Sequence, residues 1–127
     1  MESKAHLNEV HANLINWVNE LKFYKDEVKT FQNRLEEVVK QNNKPEIMVE
    51  VEHFQNQFIR QNEVIDELKH DFKQVDNQIV SNVMSNPVAS DHRTMEMPAE
   101  LLDQHDTFIK IYKELKLDFE KFLAKTY

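Results

Sequence analysis

The chain has no glycine and no cysteine, and only three prolines and one tryptophan among its 127 residues. Walker-type phosphate loops, dinucleotide-binding turns and Gly-x-Ser-x-Gly nucleophile elbows need a residue that accepts positive φ or lets a ligand approach the backbone closely. None can be built without glycine. Lack of cysteine likewise excludes disulfides, a thiolate nucleophile and a zinc finger. No stretch approaches the length of uncharged apolar sequence that spans a bilayer. Met1 to His6 is not followed by the apolar run of a secretory signal, so the expected location is cytoplasmic, with no membrane partner. Sixteen basic against 23 acidic side chains leave a net charge of −7, a poor footprint for a phosphate backbone, and no nucleic-acid partner is expected.

What is present is strong periodicity. Stepping alternately by three and four residues from Leu7 meets Val10, Leu14, Trp17, Leu21, Tyr24, Val28, Phe31, Leu35 and Val38, all apolar or aromatic. Such spacing keeps one narrow stripe on one helix face, as in the seam of a left-handed coiled coil. It predicts a first helix over about 4–41. Asn43, Pro45 and Glu46 then form a start signal with a capping-box pattern. The same stepping continues through Ile47, Val51, Phe54, Phe58, Gln61, Ile65, Leu68, Phe72, Val75, Ile79 and Asn82. Gln61 and Asn82 are polar intruders, of the kind that set register or lie near a fraying end. Pro87 disfavours helix at Asn86, so the second helix is predicted over 45–85.

Residues 85–97 form the one long non-periodic linker. Pro98, Ala99 and Glu100 look like a first helical turn, and the third helix, over 98–125, steps through Leu101, His105, Phe108, Tyr112, Leu115, Phe119 and Phe122. Leu102, Ile109 and Leu123 widen its apolar face, as suits a helix lying in the groove between two others. The predicted fold is all-α: a single-domain, up-down-up antiparallel three-helix bundle with a long coiled-coil-like hairpin and a shorter third helix. The segment around Trp17 resembles the first helix of spectrin-type three-helix repeats, which also place a tryptophan in the core; no function is carried over from that resemblance.

Helix length suggests a manner of working. At 1.5 Å per residue the first two helices extend roughly 55–60 Å and the third about 40–45 Å. If the third helix starts beside the end of the second, the hairpin tip, about residues 33–55, is left uncovered. That tip carries Leu35, Val38, Val39, Ile47, Met48, Val51 and Phe54. An exposed apolar row marks an interface, so a homodimer joined at the tips is expected. The competing geometry has an extended linker, reaching about 40 Å, carry the third helix along the hairpin to give a compact monomer.

Signals for chemistry are weak. Glu50-x-x-His53 and Glu67-x-x-His70 have the spacing of di-iron ligands but both lie on one helix, and surface placement is the expected reading. At the open end of the bundle, His6, Glu9, His11, Asp91, His92, Asp103, His105 and Asp106 can gather, which makes a metal site using His6, His11, His92 and His105 the alternative reading. Trp17, Tyr24 and Phe31 are expected in the core. Ser81, Ser85 and Ser90 lack any inferable oxyanion hole. No enzyme and no cofactor are therefore expected. The second helix carries an excess of acids, Glu46, Glu50, Glu52, Glu63, Asp66, Glu67, Asp71 and Asp76, which can make one edge acidic and steer a basic protein partner. The function expected is a structural or protein-interaction module, dimeric and able to accept a partner helix.

Overall fold

The structure, a computed structural model, describes residues 4–85 and 94–126. Its order is β1 (Lys4–His6), α1 (Leu7–Gln41), α2 (Pro45–Ser85), β2 (Thr94–Glu96) and α3 (Ala99–Thr126). The three helices run up, down and up as a bundle. Lys4 to His6, expected within the first helix, are instead extended: Lys4 pairs with Glu96, Ala5 with Met95 and His6 with Thr94 in an antiparallel ladder. Three residues carry too little periodicity to reveal a helix or a strand. The cross-strand partners, about 90 positions away in the same chain, decide the matter.

Backbone hydrogen bonds mark where the helices start and stop. At the end of α1 the Asn42 N–H donates to the Val38 carbonyl at 2.9 Å, and the Asn42 side chain reaches the same oxygen at 3.4 Å. The Lys44 carbonyl accepts from both Ile47 and Met48 at 3.0 Å, which starts α2 at Pro45, where the missing N–H costs nothing. Pro98 plays the same boundary role for α3 through the N–H groups of Leu101 and Leu102, at 3.1 and 3.2 Å.

The predicted stripes form the core. Leu7, Val10, Leu14, Leu21, Val28, Leu35 and Val38 of α1 are buried against Val51, Phe54, Phe58, Ile65, Leu68, Phe72 and Ile79 of α2. From α3 come Leu101, Phe108, Tyr112, Leu115, Phe119 and Phe122. Trp17, Tyr24 and Phe31 are half-buried and set the register of all three helices. Trp17 meets Phe72 and His105, Tyr24 meets Phe108 and Tyr112, and Phe31 meets Phe58 and Phe119. Asn82 is exposed near the end of α2, its amide on the Gln78 carbonyl, whereas Gln61 is buried in the seam.

The position of α3 along the hairpin differs from the expected one. Pro98 and Leu101 lie across a shallow depression from Val75 and Gln78, not beside Ser85. Gln78 lies seven positions before Ser85 on α2, so α3 is displaced about 10 Å toward the tip. Its far end follows: Phe122 packs on Phe54 with ring centroids 5.1 Å apart, and Lys125 Nζ sits 2.7 Å from Glu50 Oε1.

Candidate interaction surfaces

That displacement corrects the reasoning about the tip. Leu35, Val38, Val51 and Phe54 are buried within one chain, with 0, 0, 3 and 6% of their surface exposed. Phe54 lies under Phe119 and Phe122 of α3, so these four residues are core and need no second molecule to cover them. Ile47 and Met48 are half-buried, and of the expected interface residues only Val39 stands largely in solvent, with neighbouring Val49 beside them on α2.

Among the described residues the histidines do not form one constellation. His6 is exposed at the end of β1, and His92 lies outside the described residues. His11 Nδ1 pairs with Asp76 Oδ1, joining α1 to α2. His105 is buried between Trp17 and Phe72, with Nε2 3.0 Å from Glu20 Oε1 and Nδ1 3.4 Å from Asp106 Oδ1. The His11 and His105 imidazoles thus serve as polar links between packed helices. Among the described residues no group of three His, Cys, Asp or Glu side chains is placed to hold a metal ion. The Glu-x-x-His strings are also split: Glu50 is held by Lys125, His53 lies against the Phe54 ring, and Glu67 and His70 line a groove. Ser81 and Ser85 are exposed with no histidine partner among the described residues, and Ser90 lies outside them.

Polar bonding is distributed unevenly over the seams. Between α1 and α3, besides the Glu20–His105 link, Glu27 accepts from the Tyr112 hydroxyl at 2.6 Å and from Lys116 Nζ at 3.0 Å. Burial, reinforced by that bond and the Glu27 charge, raises the Tyr112 phenol well above its ordinary value. Burial also raises Tyr24, with help from the Glu20 and Glu27 charges. Between α2 and α3 the corresponding link among the described residues is the Lys125–Glu50 pair, at the tip.

The α2–α3 seam accordingly opens into a groove of about 1040 Å³. Leu68, Phe108 and Val64 give it an apolar floor, with Ile111 at its side, 42% exposed. Glu67, Asp71, Glu100 and Asp103 stand around it, and none of the four is ion-paired among the described residues. Arg60, the one Lys or Arg in its lining, sits 3.5 Å from Glu63. The expected acidic edge of α2 is therefore only partly real. Asp66, which also lines the groove, is drawn to Lys25, Asp76 to His11 and Glu50 to Lys125, while Glu67 and Asp71 line the groove with no ionic partner among the described residues.

Sequence patterning passed over this groove because Val64 and Ile111 lie off the main stripes. Their one visible signal is apolar character beside the seam on helices that a third element covers from one side only. No helix among the described residues is long and apolar enough to cross a membrane. Compared with protein-family models, with curated proteins and with solved structures, the chain matches none.

Proposed function

We propose that this chain is a helical protein-interaction module whose α2–α3 groove receives a basic amphipathic helix. The observation that carries the reading is the pairing of an apolar floor with four carboxylates that have no ionic partner among the described residues. A helix with leucine-like side chains at i, i+3, i+4 and i+7 fills Val64, Leu68, Phe108 and Ile111, while flanking lysines or arginines meet Glu67, Asp71, Glu100 and Asp103. Its insertion turns an open three-helix seam into a closed four-helix one. Acidic rims of this type speed encounter with basic partners and orient them.

The test is fluorescence anisotropy with a labelled synthetic helix carrying a leucine stripe and flanking lysines. Binding is expected to weaken with added salt and to fall by about tenfold or more with Asp71→Lys plus Asp103→Lys, or with Ile111→Ser. Affinity unchanged by both variants removes the proposal. Pairing through the tip is a second reading, resting now on the exposed Val39 and Val49. Light scattering on the same protein tests it, and a mass of one chain at all concentrations eliminates it. The metal-binding alternative rests on His6, His11 and His105 of the described residues, and metal analysis of untagged protein tests it in the same way.

A further inference from the structure

The opposite flank of the hairpin carries the reverse charge. Along α1, Glu20 and Glu27 hold α3 on one side of the seam. His11, Val18 and Lys25, spaced by seven, lie along the other side and face α2: His11 meets Asp76 and Lys25 Nζ sits 2.5 Å from Asp66 Oδ1. On this flank the antiparallel register brings Lys22 and Lys25 of α1 beside Lys69 and Lys73 of α2. Lys22 and Lys73 both line a small pocket of about 180 Å³, made solely by α1 and α2, with apolar walls of Leu14, Ile15 and Val18 and with Asn19 and the His11-paired Asp76 completing the lining. Lys69 is half-buried, and its ammonium is held below the ordinary lysine range, first by burial and then by repulsion from Lys25, Lys73 and Lys22, with Asp66 opposing. Lys22, Lys69 and Lys73 have no ion-pair partner among the described residues. In a protein of net charge −7, such a concentration of like charge is a local reversal.

We propose that this α1–α2 flank is a second docking site, which takes an acidic helical peptide with one apolar side chain in the pocket between Lys22 and Lys73. Two features together favour that occupant. Cavities of about 150 Å³ accommodate a benzene ring, so the pocket suits one phenylalanine or leucine side chain. Lys25 already has Asp66 and the pocket's own Asp76 is taken by His11, which leaves Lys22, Lys69 and Lys73 without an ionic partner among the described residues, and a helix with acids at i and i+4 supplies carboxylates to them. A bare polyanion neutralises the lysines but leaves Ile15 and the pocket unfilled; a second copy of the chain would have to bring its own acidic α2–α3 rim. The site shares no described lining residue with the α2–α3 groove, so either can fail without the other.

The experiment titrates the full chain into a labelled synthetic helix bearing glutamates at i, i+4 spacing and a single central phenylalanine. Binding is expected to be salt-sensitive, to drop about tenfold with Lys69→Glu plus Lys73→Glu, and to drop comparably when the peptide phenylalanine becomes alanine. Lys73 is exposed and Lys69 half-buried, and circular dichroism and urea unfolding verify that the double variant stays folded. Ile15→Glu, at a position 43% exposed, is an independent variant expected to block the pocket. The proposal is overturned by an absence of binding, by loss of the phenylalanine having no effect, or by inorganic tripolyphosphate displacing the peptide as effectively as unlabelled peptide does. Growth of the mass of the chain with concentration, abolished by the lysine reversals, assigns the flank to a second copy and also overturns it.

Discussion

Substituting Phe54 and Phe122 by leucine, singly and together, measures whether α3 covers the hairpin tip. The rings pack at 5.1 Å with an interplanar angle of 39°, and the residues are 6 and 3% exposed. Leucine keeps most of the apolar volume, so each single change should cost less than about 1.5 kcal/mol. An aromatic pair contributes about 0.5–1.5 kcal/mol beyond its buried area, and either single change already forfeits that coupling. The double variant should therefore be less destabilised than the sum of the singles by about that amount. Folded domains of this kind have about 5–15 kcal/mol in hand, so all four proteins remain folded for comparison. Urea unfolding followed by circular dichroism reads the cycle, with equal slopes confirming that only stability changed. Had α3 started beside Ser85, Phe122 would lie more than one turn short of Phe54. Additivity within about 0.3–0.5 kcal/mol would then be found, and that result refutes the observed register.

The α1–α3 linkage makes two further predictions. Tyr112→Phe removes a 2.6 Å bond to the Glu27 carboxylate and should cost about 1.5–3 kcal/mol in urea unfolding, while Lys116 keeps Glu27 partnered. Raising the pH should destabilise the fold through Tyr24 and Tyr112. Both phenols are raised in the folded protein, so their contribution is fully present below the unfolded-chain value of about 10 and is lost above it, as the unfolded tyrosines ionise first. Unfolding midpoints measured from neutral pH to above pH 10 check the direction, and Tyr112→Phe should flatten the alkaline loss.

The alternation of three and four was enough to determine the helices, their antiparallel order and nearly all of the core. Periodicity is a property of each helix alone: Leu7 to Val38 and Val51 to Ile79 must share a side whichever neighbour they meet. Boundaries near Pro45 and Pro98 were legible for the same local reason, since ring closure at proline acts on its own backbone. Only the tertiary structure decided how far along the hairpin α3 sits. The linker before it carries no period, and a short ladder to Lys4–His6 accompanies its entry. That offset moved Leu35, Val38, Val51 and Phe54 from expected interface to core. The charged surfaces were hidden for a related reason. Lys22 and Lys25 come beside Lys69 and Lys73, and Asp71 beside Asp103, only after folding sets helix against helix. Charge counted along the chain averages over faces that the bundle turns in opposite directions.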